Sequence, residues 1–141
     1  MYFYRWLRPR PLNPAVQIVL IQHFFPGFSY RGRCGRYVFR GALQPRPDGA
    51  VYHVEIRYTQ GTTPKVFVIG PQLEEDAPHL FADGSLCLFH PQLFRWHGRR
   101  IVARWIVPRT AAWLYFYEHW LNLGVWLGPE APHALPTSDD S

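Results

Sequence analysis

His79-Leu80-Phe81-Ala82-Asp83-Gly84-Ser85-Leu86-Cys87-Leu88-Phe89-His90 reads as a turn followed by a short apolar strand. Asp83-Gly84 signals the turn, because glycine takes a positive φ without steric cost. Beyond it, the strand period puts Leu86 and Leu88 on one face and Ser85, Cys87 and Phe89 on the other. His79 and His90 flank the cysteine. A thiol just after a turn, with polar and titratable neighbours, has the surroundings of a nucleophile. The opposing reading is a structural thiol, since free cysteine often packs as a small hydrophobe. By itself the segment favours the structural reading, because one Cys near a His carries little specificity.

Upstream, three segments read as strands. Residues 50–58 alternate well, with Tyr52, Val54, Ile56 and Tyr58 opposing Val51, His53, Glu55 and Arg57. Residues 36–43 alternate less cleanly, and residues 65–69 form the third. Pro47-Asp48-Gly49 and Gly61-Thr62-Thr63-Pro64 are short connections, which favour an antiparallel meander. Residues 31–35 read as a loop, with Cys34 incidental in it. Before the strands, Asn13-Pro14 reads as an N-cap followed by proline at the first helical position. The helix spans residues 15–24, with an apolar stripe of Val16, Val19, Leu20 and Phe24, and Pro26-Gly27 stops it.

Downstream of the cysteine, residues 90–100 read as a loop. Trp96 within it is expected to lie over the core or the cysteine face, because an indole buries a large area. A helix over residues 111–122 carries Trp113, Phe116, Tyr117, Trp120 and Leu121 as a wide aromatic stripe, and Gly124 ends it. The expected organisation is an extended arm over residues 1–12, one domain over 13–128 and a disordered Pro-, Ser- and Asp-rich tail over 129–141. Segregated strands and helices indicate the α+β class.

Composition narrows the chemistry. The chain has 141 residues, 48% hydrophobic and 17% aromatic, which is material for one packed domain rather than a disordered chain. Its longest apolar run is too short and polar to span a bilayer, and the first residues lack signal-peptide order, so a cytoplasmic protein without membrane attachment is expected. Cys34 and Cys87 make neither a disulfide scaffold nor a metal site of the usual spacing. The net charge of +5 comes almost wholly from arginine, Lys65 being the only lysine. No nucleic-acid motif accompanies that charge, so nucleic acid is not the expected partner. There is no phosphate loop or dinucleotide fingerprint, and no cofactor is expected. Cysteine chemistry is the main catalytic option left.

Several motifs in order resemble the ubiquitin-conjugating (E2) fold, in which a helix precedes a four-stranded meander, an active-site segment, a loop tryptophan and C-terminal helices. Gly84-Ser85-Leu86-Cys87-Leu88 fits that family's active-site segment; Pro64, His79 and Trp96 match its proline, upstream His and downstream Trp. The chain more closely resembles the bacterial E2-like proteins of CBASS antiphage defence. The shared motifs are Tyr52-His53-Val54-Glu55-Ile56-Arg57-Tyr58, the active-site segment, Trp113-Leu114 with Tyr117-Glu118-His119-Trp120, and Gly124-Val125-Trp126-Leu127-Gly128.

The resemblance implies a thioester on Cys87, formed with the C-terminus of a cGAS/DncV-like nucleotidyltransferase and passed to an amine. His90, and after it His79, would hold the thiolate or relay a proton. Trp96, Asp83 and Ser85 would contact substrate, with Trp96 shielding the site from water. The chain has no ATP-binding segment, so activation falls to a separate protein, an E1-like one being the natural candidate. The family's usual Asn near the active-site His is missing here, so backbone N–H groups, His90 or Ser85 would have to support the oxyanion. Two readings compete with this one: a non-catalytic E2-like adaptor with Cys87 in the core, and an arginine-based nucleic-acid module.

Overall fold

Asn13 opens the first helix as the sequence requires: its side chain accepts the Ala15 N–H at 3.0 Å, and Pro14 occupies the first turn. The computed structural model describes residues 10–129, so most of the expected arm and tail lies outside the described residues. Within them run α1 (Pro14–Phe24), β1 (Ser29–Arg33), β2 (Arg36–Leu43), β3 (Tyr52–Thr59), β4 (Lys65–Gly70), α2 (Val102–Trp105) and α3 (Val107–Leu123). The four strands form one antiparallel sheet in the order β1-β2-β3-β4. With an N-terminal and a C-terminal helix, this is the α+β, ubiquitin-conjugating-like architecture.

β3 buries Tyr52, Val54, Ile56 and Tyr58, as its alternation predicts. With Phe39 and Val66 from the neighbouring strands they meet Ile21, Val102, Ile106, Trp113 and Leu114 from the helices in one core. Glu55 breaks the pattern. It is buried on the other face because Arg40 and Arg57 hold its carboxylate at 3.0 and 2.8 Å.

Three expectations are corrected. Residues 31–35 are not a loop: Ser29–Arg33 pairs with β2, and Cys34-Gly35 form the two-residue turn, at φ 56° and 80°. Positive φ at both turn positions matches the right-handed twist of the strands. All five β1 residues are exposed, so no apolar alternation marks the strand.

In α1, the stripe of Val16, Val19, Leu20 and Phe24 is not the buried face. Gln17 and Ile21 are fully buried, while Val16, Val19 and Phe24 are exposed. Gln17 turns inward because the start of α2 needs it. Its amide donates to the Arg100 carbonyl at 2.8 Å, and its carbonyl accepts the Val102 N–H at 3.0 Å. The first N–H groups of a helix have no partner within it.

α3 runs from the Val107-Pro108-Arg109-Thr110 start, but the expected stripe is only part of its buried face, which is Val107, Thr110, Trp113, Leu114, Tyr117 and Glu118, with Leu121 exposed. Glu118 is buried there because Arg46, in the β2–β3 turn, donates to it at 2.7 and 2.8 Å. Gly124 closes the helix at φ 72°, its N–H bonded to the Trp120 carbonyl.

Candidate active site

The cysteine segment is set by backbone hydrogen bonds. Phe81 and Ser85 close a tight turn through the Phe81 N–H on the Ser85 carbonyl, and Gly84 supplies the positive φ of 86°. Asp83 braces this turn, accepting the Ser85 N–H at 2.9 Å and the Ser85 hydroxyl at 2.6 Å. Lys65 of β4 holds the other carboxylate oxygen at 2.7 Å. These contacts keep the Asp83 carboxyl well below the usual range, Lys65 being the largest cause. The Leu86 N–H then bonds to the Val66 carbonyl, hanging the segment on β4.

Beyond Leu86 the expected strand does not form. Only an isolated bridge, Leu80 to Leu86, is present, and the two-face alternation fails at Leu88 and Phe89. Both line two adjacent cavities and form the wall between them. The Cys87 N–H bonds instead to the carbonyl of His79 at 2.9 Å, and the Trp113 indole donates to that same oxygen at 3.2 Å. His79 holds φ 59°, sparsely populated for a residue with a Cβ. One carbonyl thus joins the cysteine segment to α3.

Cys87 is half-buried on the wall of a cleft of about 350 Å³. His79 and His90 line the same cleft, together with the aromatic rings of Trp113, Phe116 and Trp126. The His79 ring packs on Trp126 at 4.8 Å, and Trp126 lies 5.4 Å from Trp113 and 6.0 Å from Phe116. Trp126 reaches the cleft because Gly128 lets the chain return over Phe116; a Cβ there would meet the ring at 2.5 Å. The Cys87 thiol donates weakly to the Phe89 carbonyl, at 3.8 Å. Burial pushes this thiol above its ordinary range, and that bond offsets part of the rise. Nδ1 of His90 accepts the Gln92 N–H at 3.1 Å, so in this geometry Nδ1 carries no proton.

The structure therefore brings Cys87, His79 and His90 together and leaves three expected contact residues elsewhere. Trp96 is buried in the core and lines the second cavity, on the far side of the Leu88–Phe89 wall, so it does not cover Cys87. Asp83 and Ser85 bond to each other under the turn and do not line the cleft. Ser85, with its hydroxyl on Asp83 and its side chain buried, is not placed to donate to a group on Cys87. Trp113, Trp126 and Arg109 line the cleft without having been singled out for the site. Trp126 was nonetheless legible in the Gly124–Gly128 motif, and Trp113 in the aromatic stripe of α3.

No group of three or more His, Cys, Asp or Glu able to hold a metal occurs among the described residues. No helix among them is long and apolar enough to cross a membrane. A search of curated proteins gives no match. The model of the family described as Type II CBASS E2 protein matches residues 17–134, well over half of the chain, and spans every element that builds the cleft. The protein therefore belongs to the Type II CBASS E2 family.

Proposed function

We propose that the protein is an E2-like acyl transferase of antiphage defence, carrying the C-terminus of a partner protein as a thioester on Cys87. The observation that carries this reading is a thiol on the wall of an aromatic cleft rather than sealed in the core. The Cys87 thiolate attacks the activated carboxyl carbon, and the bond from that carbon to its leaving group breaks. An acceptor amine then attacks the thioester; the carbon–sulfur bond breaks, an amide forms and the thiol is regenerated. Activation comes from a separate protein, an E1-like enzyme being the fitting class. The donor is the C-terminal tail of a cGAS/DncV-like nucleotidyltransferase.

His90 and His79 are the groups proposed to take and return the protons. Among the described residues the N–H groups of Leu88 and Phe89 have no hydrogen-bond acceptor, and they are proposed to support the oxyanion in place of Ser85. Trp113 and Trp126 take the water-excluding role expected of Trp96, protecting the thioester.

The raised thiol favours a second reading, an adaptor that binds its partner without chemistry, because burial disfavours the thiolate. The same burial suits the acylated state, since a thioester is neutral and loses nothing by leaving water. The test is incubation with the operon's nucleotidyltransferase and activating protein, followed by electrophoresis with and without thiol. A thiol-sensitive adduct is expected, absent in Cys87→Ala and replaced by a thiol-resistant ester in Cys87→Ser. An adduct that persists in Cys87→Ala overturns the catalytic reading.

A further inference from the structure

The lining of the Cys87 cleft includes an arginine that no described carboxylate neutralises. Arg109, in the first turns of α3, lines the cleft and is half-buried. Its guanidinium sits 4.3 Å from the Phe94 ring centre and 5.0 Å from that of Trp105. Arg100 leans on the same two rings, at 4.5 and 4.7 Å, and Arg104 approaches Trp105 at 5.2 Å. The ion pairs among the described residues use Arg40, Arg46, Arg57 and Lys65, none of which belongs to this group. Arg109 bonds to the Trp105 carbonyl and Arg100 to the Arg95 carbonyl, neutral acceptors that fix the guanidiniums without cancelling their charge.

Two like charges held against the same aromatic pair cost free energy, and the aromatic faces offset only part of it. Burial, and after it the neighbouring Arg100, lowers the Arg109 pKa. A cation in a low-dielectric cleft focuses a positive potential on whatever enters. Exposed Arg95, Arg99 and Arg104 extend the positive charge along the chain on both sides of Arg100.

We propose that Arg109, backed by Arg100, pairs with an acidic side chain near the C-terminus of the acyl-donor polypeptide, making an acidic tail the preferred substrate of the Cys87 cleft. The inference rests on the thioester reading for the identity of the donor. The cleft's volume, about 350 Å³, is at the low end for enclosing even a small ligand, so it takes only the end of a chain. A guanidinium packed against two rings, with one N–H given to the Trp105 carbonyl, retains further N–H donors for a carboxylate. The acidic residue therefore sits within a few positions of the terminal carboxyl that Cys87 attacks, and further acidic residues upstream follow the exposed arginines outward.

The test uses the full chain and unactivated peptides, so no chemistry is involved. Fluorescein-labelled heptapeptides ending in glycine carry either Asp or Asn at the second to fourth positions from the end, and binding is read by anisotropy in low salt. The Asp peptide is expected to bind about tenfold tighter, the fold-change of one charge-assisted hydrogen bond. Arg109→Gln should remove that preference and Arg109→Lys should keep part of it, which separates loss of charge from loss of fold. Equal binding of the two peptides overturns the proposal, as does a preference that survives in Arg109→Gln. A single-stranded oligonucleotide of equal charge that outcompetes the Asp peptide reassigns the cations to nucleic acid and also overturns it. So does peptide binding that appears only after Glu130→Gln, Asp139→Asn and Asp140→Asn together, since the occupant would then be the chain's own acidic residues. Loss of the acid preference leaves the Cys87 adduct test untouched. A failed adduct with the acid preference intact sinks the thioester reading alone.

Discussion

Replacing Gln17 by leucine tests how the helical layer is held together. The side chain is fully buried and makes two hydrogen bonds, to the Arg100 carbonyl and from the Val102 N–H. Leucine fills a similar volume but makes neither bond. Val102 is fully buried, so its N–H finds no water and loses about 1–3 kcal/mol. The Arg100 carbonyl belongs to a half-buried residue and regains part of its solvation. The apolar side chain returns roughly 1 kcal/mol by burial. The net loss is about 2 kcal/mol. Unfolding entropy near 2.1 cal/mol/K per residue makes each kcal/mol worth about 3 °C for a chain of this length, so Tm falls by roughly 7 °C. Val19→Gln on the same helix is the contrast, because Val19 is 60% exposed and should change stability by no more than about 0.5 kcal/mol. Paired urea melts and calorimetry decide between them. A Gln17→Leu protein within about 0.5 kcal/mol of the parent, or a Val19→Gln protein that loses more than Gln17→Leu, refutes the account.

Two further expectations concern the cleft. Burial raises the Cys87 thiol, so its thiolate fraction, and with it the rate of alkylation by iodoacetamide, should still be climbing above about pH 8.5, where an ordinary thiol is half-ionised. Mass spectrometry of the Cys87 peptide over a pH series reads this, and a plateau below pH 8 contradicts it. Gly128→Ala puts a Cβ into the Phe116 ring, so Trp126 should shift from its place against His79. Alkylation of Cys87 is expected to quicken several-fold with little change in Tm, and an unchanged alkylation rate argues that Trp126 does not cover the thiol.

Much of the fold was legible because local rules carried it. The alternation of residues 52–58, the Asn13-Pro14 cap and the Gly124 stop need only nearest neighbours, and each appears where the pattern puts it. β1 was hidden because both its faces meet solvent, so pairing with β2 decides its conformation rather than any apolar period. The buried face of α1, and the Glu118 part of that of α3, escape the apolar pattern for one reason. A count of apolar residues cannot see that Gln17 and Glu118 go inward to meet a helix start and Arg46. In the site, Cys87 with its flanking histidines was marked by sequence proximity, whereas Trp113, Trp126 and Arg109 reach the cleft from another element, up to 39 residues downstream of Cys87 (126 − 87).

The sequence alone determined the α+β class, the meander and the cysteine segment, since periodicity, turn chemistry and the motif around Cys87 are local properties of the chain. The tertiary structure decided which side chains share the cleft with that sulfur. It put Trp96 behind the Leu88–Phe89 wall, bonded the Ser85 hydroxyl to Asp83, and set Arg109 in the lining of the cleft that holds the thiol. The physical reason is that burial and charge pairing depend on which surfaces meet in space, and no local pattern records that meeting.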